Sequence, residues 1–172
     1  MLNAQKKVPP KKRGITIFKI NKEMRHTGTQ ILPGITFIGW LDGSKLQRSV
    51  GCAGIVGQHV DIYTAVHEIQ FCGEPQCSCK SAKGDGGGYT DTATLKFNSP
   101  DRVPFRQMRN MAFVVTDATG KSYLLGSLER PCASIEGEQM PGSPSGDAAG
   151  FAYEVRHCSY KSMVPCRFYC TV

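Results

Sequence analysis

The sequence has no long apolar run. Its longest uninterrupted stretches, such as Met111–Val115, fall far short of the ~20 residues a membrane helix needs, so no helical membrane span is expected. No apolar stretch of signal-peptide length follows Met1, and no Asn-x-Ser/Thr sequon occurs, which points to synthesis in a reducing cytosol. There is no Gly-x-Ser-x-Gly elbow to expose a nucleophilic serine. The glycine cluster Gly84-Asp85-Gly86-Gly87-Gly88 lacks the Gly-Lys-Ser/Thr ending of a phosphate loop and leads into a strand pattern, so it reads as a hairpin connection. The four histidines, His26, His59, His67 and His157, make no zinc-protease pattern: His67-Glu68 has no second histidine at helical spacing. These absences direct the expectation toward binding or assembly and away from catalysis, with no cofactor.

Acids are scarce at one end of the chain. The net charge is +7, and Lys6, Lys7, Lys11, Lys12 and Arg13 account for five of those charges, while the first acid is Glu23. With Pro9-Pro10 among them, residues 1–13 are expected to form an extended, flexible basic arm. Those five side chains are the candidate interaction residues. They suit non-specific contact with nucleic-acid phosphates, pairing with acidic patches on a neighbouring subunit, or simple solubility, and charge alone does not choose among these.

What is present is β-sequence. Residues 14–172 are 159 in number, 40% of the whole chain is apolar and 20% charged, and the 19 glycines and 10 prolines imply many turns. Such a length forms one core without a staple. Strands are expected at Ile15–Ile20, Ile35–Trp40, Val60–Phe71, Tyr89–Phe97, Phe151–Ser159 and Arg167–Val172. In the third, Tyr63, Ala65, His67, Ile69 and Phe71 form the more apolar row and are expected to face the core. In the fourth, Tyr89, Asp91, Ala93, Leu95 and Phe97 alternate with Thr90, Thr92, Thr94 and Lys96, the pattern of a half-buried strand. Met111–Leu128 reads as a hairpin around Asp117-Ala118-Thr119-Gly120, with Asp opening the turn and Gly in its left-handed position. Residues 104–110 suggest one helical turn. No amphipathic helix of ordinary length appears. The fold expected is therefore all-β, a single β-sandwich or barrel-like domain. Residues 72–88 and 129–150 read as loops, the second 22 residues long and rich in Gly, Pro, Ser and acids, which exceeds the usual connection in a compact domain.

The eight cysteines are Cys52, Cys72, Cys77, Cys79, Cys132, Cys158, Cys166 and Cys170. Cys72-x4-Cys77-x-Cys79, with His157-Cys158 or Cys166-x3-Cys170, is a candidate zinc set. However, one residue between Cys77 and Cys79 is too few for the two-to-four spacing that closes a tetrahedral site. Reduced thiols without stoichiometric zinc are the expectation, and a zinc-stabilised interaction domain is the alternative.

Three stretches carry a family likeness. They are Tyr89–Pro100, the hairpin Phe113–Gly126, and the tail from Glu129-Arg130-Pro131 through Tyr153-Glu154-Val155-Arg156-His157 to Pro165. In this order they resemble small prophage-encoded structural proteins of gut Bacteroidales, of the bacteriophage tail-tube or tail-completion kind. The resemblance implies a virion protein made in the bacterial host cytoplasm. Its partners would be copies of itself and other virion proteins, its long loop and N-terminal arm would lock subunits into rings, and no membrane would be involved. Tube proteins of this kind tend to present an acidic lumen to DNA, whereas this chain is basic, with its excess in the arm. A nucleic-acid-binding module acting through the arm is the second alternative.

Overall fold

Alternation decides the faces of the central strands. A computed structural model describes residues 28–48, 50, 58–83, 87–105, 110–142 and 149–169. Among them are eleven strands and a single three-residue 3-10 turn, Gly43–Lys45, and the chain is all-β. Strand β1 spans Gly28–Ile31, β2 Ile35–Asp42, β3 Val60–Ile62, β4 His67–Glu68, β5 Cys72–Lys83 and β6 Tyr89–Ser99. Strand β7 spans Met111–Asp117, β8 Ser122–Leu125, β9 Ser134–Met140, β10 Gly150–Ser159 and β11 Val164–Phe168.

The first sheet has the order β1-β5-β6-β10-β9 and is antiparallel throughout. The second has the order β3-β11-β8-β7-β2-β4, antiparallel except where β3 runs parallel to β11. One of the two curls into a half-barrel. In β6, Asp91, Ala93, Leu95 and Phe97 turn inward as the sequence pattern requires, with Tyr89 half-buried at the start. Beside it β10 turns Tyr153, Val155 and His157 inward. Of these, Ala93, Leu95, Phe97, Tyr153 and Val155 pack against Ile38, Met111, Phe113, Val115 and Leu125 of the second sheet. Tyr153 is buried, and its hydroxyl accepts from the Val103 backbone N–H at 2.9 Å, so its polar end is satisfied.

Strand β7 is buried at every position from Met111 to Val115 because both of its faces are covered. Met111, Phe113 and Val115 join the core between the sheets, while Ala112 and Val114 join a second cluster with Leu41, Val60, Ile62 and Leu124. A strand covered on both sides reads as a continuous apolar run, which is how Met111–Val115 appears. The hairpin expected from the sequence is present. The buried Asp117 carboxylate accepts from the Thr119 N–H (2.8 Å), the Thr119 hydroxyl (2.6 Å) and the Lys121 N–H (3.0 Å), and Gly120 takes φ +79°.

Several sequence expectations are corrected. Residues 60–71 are not one strand: β3 and β4 lie on opposite edges of the second sheet, so the chain crosses between them. The buried residues are Val60, Ile62, Val66 and Ile69, and Tyr63, Ala65 and His67 are exposed, so of the row assigned to the core only Ile69 is buried, with Phe71 half-buried. Residues 72–83 are not loop but the twelve-residue β5, whose register shift between Cys72 and Gln76 accommodates Gly73 and Pro75. The 129–150 segment is not one loop either, because β9 lies inside it as an edge strand that needs no inward apolar row. The last described strand is Val164–Phe168, which begins before the expected Arg167–Val172, and residues 170–172 of that expectation lie outside the described residues. The strand expected at Ile15–Ile20, the arm at 1–13 and most of the helical turn at 104–110 lie outside the described residues.

Candidate functional site

The paired β6 and β10 set the geometry of one end of the sandwich. His157 faces inward from the last turns of β10, opposite Ala93, and only 2% of its surface is exposed. Burial pushes its pKa down to about 4, so the ring is neutral at pH 7 with one N–H and one lone pair. Its Nδ1 is buried and has no hydrogen-bond partner among the described residues. An unmet buried polar atom costs about 1–3 kcal/mol, which makes this position unusual. The other such atom, Asn110 Oδ1, belongs to a side chain that lies against Gly43 and whose Nδ2 donates to the Ser127 carbonyl at 2.8 Å.

His157 lines a cleft of about 480 Å³. One wall is the β8–β9 connection, from Gly126 to Pro131, and the other is the end of β10 with the turn into β11. Serines fasten that second wall. The Ser162 hydroxyl donates to the Asp91 carbonyl, the Ser159 N–H donates to Ser162 Oγ at 3.1 Å, and the Lys161 N–H donates to Ser159 Oγ at 3.2 Å. Three cations border the cleft, Arg48, Arg130 and Lys161, against one carboxylate, Glu129. Arg48 and Glu129 approach only to 4.0 Å, and both are largely solvent-exposed, so their pairing is weak. No ion pair holds Arg130 or Lys161 among the described residues. Val50, Pro131 and Val164 supply apolar surface, and Tyr160 stands at the rim, 67% exposed. Lys161 also borders a second cleft of about 390 Å³ that contains Asp91 and Tyr123.

The cysteines do not converge. Cys77 and Cys79 point inward from β5 while Cys72 is exposed at its start, so the sequence-proposed triad is spread along a strand. No three His, Cys, Asp or Glu side chains among the described residues gather to hold a metal, and Cys52 and Cys170 lie outside them. Burial pushes the Cys77 and Cys166 thiols up to about 12 and, with the nearby Asp91 charge, Cys79 to about 11, so all three are protonated at neutral pH. Cys79 and His157 flank Ala93 from opposite sides, two strand spacings apart, or about 10 Å, which is too far for a thiol–imidazole pair.

The surface offers two further features. Strand β9 pairs with β10 alone among the described residues, and Ser134, Glu136, Gly137, Glu138 and Gln139 are exposed. Tyr63 and Tyr169, both well exposed, stack with ring centres 6.3 Å apart at the β3–β11 edge. The candidate interaction residues Lys6, Lys7, Lys11, Lys12 and Arg13 lie outside the described residues. Sequence reasoning weighed His157 only as a metal ligand beside Cys158. The signal that would have placed it inward was present, since Tyr153, Val155 and His157 recur at every second position.

Comparison of the chain with protein-family models, with curated proteins and with solved structures finds no match in any of the three.

Proposed function

We propose that this chain is a bacteriophage virion protein, a tail-tube or tail-completion subunit that assembles with copies of itself and with other virion proteins. The observation that carries the reading is β9. It is a seven-residue edge strand, exposed along most of its length, with one side of its backbone unpaired among the described residues. An unpaired edge of that length is a template for another strand. The other edges are shorter: β1 has four residues, β3 three and β4 two. Glu136 and Glu138 give the β9 edge a negative charge, while Lys6, Lys7, Lys11, Lys12 and Arg13 give the N-terminal segment a positive one. The two are complementary when the arm of one copy meets the edge of the next, and a repeated heterologous contact of this kind closes into a ring or extends into a tube. The family likeness in Tyr89–Pro100, Phe113–Gly126 and the tail supports the same reading.

Proline scanning of the edge tests it. Adjacent strand residues direct their N–H groups to opposite sides, so of Glu138→Pro and Gln139→Pro one breaks a bond to β10 and the other blocks only the free edge. Thermal unfolding identifies which is which. Electron microscopy and light scattering at high protein concentration should show rings or tubes for the parent and monomers for the stable edge-blocked variant. A parent that stays monomeric at every accessible concentration, or two variants that assemble as the parent does, overturns the proposal.

A further inference from the structure

We propose that the cleft between the β8–β9 connection and the β10–β11 turn binds a phosphate monoester with an apolar or aromatic body. The cleft's charge matches such a head: Arg48, Arg130 and Lys161 against Glu129 leave a net charge of two positive units, which complements a dianion. Neither Arg130 nor Lys161 is committed to an ion pair among the described residues, so both are available to the ligand. The Asp91 carboxylate borders the second cleft, which Lys161 also lines, and accepts the Ser81 hydroxyl at 2.7 Å. Val50, Pro131 and Val164 give the apolar body a surface, and a volume of about 480 Å³ accommodates a ring as well as the head.

The independent observation is His157. Its ring is 98% buried and borders the cleft, and its Nδ1 has no hydrogen-bond partner among the described residues. Being neutral, the ring places no further charge at the cleft wall, and its position there makes it a reporter of ligand binding. The serine bonds that hold the β10–β11 turn keep the wall in place before a ligand arrives, so little ordering accompanies binding. The site does not depend on assembly: its residues belong to one copy and lie on elements other than β9.

Calorimetric titration of the full chain tests this with four probes: phenyl phosphate, inorganic phosphate, benzoate and phenol. Phenyl phosphate should bind at one site per chain, at least tenfold more tightly than each of the other three. Arg130→Met and Lys161→Met replace solvent-accessible cations and should each weaken phenyl phosphate at least fivefold while leaving the thermal midpoint unchanged. In imidazole NMR spectra, the His157 resonances should shift on titration while those of His59 and His67 stay in place. Absence of saturable binding overturns the proposal, as does equal affinity for inorganic phosphate, which would mark a bare charge patch. Unchanged affinity in both variants, or a His157 signal indifferent to the ligand, overturns it as well.

Discussion

Acidification should destabilise this protein well before its carboxylates protonate, and His157 should be the cause. The folded ring titrates at about 4 because burial disfavours its charged form, against an ordinary value of 6.5. Below pH 6.5 the unfolded chain takes up a proton that the folded chain refuses until about pH 4, so stability falls as pH falls and is flat above neutrality. The full difference between the two values corresponds to roughly 3 kcal/mol, and about 2 kcal/mol of it is already lost at pH 5. For a domain of this size that lowers the thermal midpoint by about 4–8 °C. Asp117, whose three hydrogen bonds outweigh burial and hold its carboxyl below the usual value, acts in the same direction but at lower pH. The window from pH 7 to pH 5 therefore isolates the histidine. The assay is urea unfolding of the parent and of His157→Gln at both pH values. The parent should lose about 2 kcal/mol more than the variant between them. Equal losses, or an NMR titration that puts the His157 ring near 6.5, would refute the burial argument.

Three shorter predictions follow from the same packing. Asp117→Ala removes the acceptor of all three turn bonds and should cost about 2 kcal/mol in denaturant unfolding, with the difference from the parent shrinking below the ordinary carboxylate range as the native carboxylate protonates. Gly126→Ala places a Cβ 2.7 Å from Ala112 Cβ and 2.9 Å from Ala112 Cα at a φ of +128°, and should destabilise by about 2 kcal/mol or more, read from the urea midpoint. Cys132 lies two residues before β9, and Cys158 lies two residues beyond Arg156, the last β10 residue that β9 pairs with. Exposure to oxidised glutathione should therefore join Cys132 to Cys158, detectable as a crosslinked peptide by mass spectrometry, while Cys77 and Cys166, which are buried with protonated thiols, should stay reduced.

Legibility in the sequence followed the number of faces that each strand buries. Strand β6 buries one face, so its alternation was readable residue by residue, including the inward Asp91. Strands β7 and β8 were readable because Asp117 and Gly120 mark the turn that joins them. Strand β5 was not, because its inward row holds only Cys77 and Cys79, which the sequence reading took as candidate metal ligands in a loop, and because Gly73 and Pro75 disturb its start. Strand β9 buries almost nothing and owes its place to backbone pairing with β10, a non-local interaction that leaves no local pattern. Residues 60–71 failed for a third reason. The apolar residues there serve two sheet edges in succession, so a single period of two fitted across both put Tyr63 on the wrong side.

The cleft was hidden from the sequence for a related reason. Its cations come from Arg48, Arg130 and Lys161, separated by 82 and 31 residues, and only sheet pairing brings them to one opening. His157 carried a local signal, but its meaning depends on what faces it. On β10 it stands among Tyr153 and Val155, where another apolar residue would pack without leaving a polar atom unmet. A histidine there adds less to the core than a leucine would, and its unmet nitrogen subtracts from stability, so packing alone does not account for it. What it adds is a neutral polar side chain at the border of an opening with a net positive charge, and that combination is the physical reason to look for a ligand there.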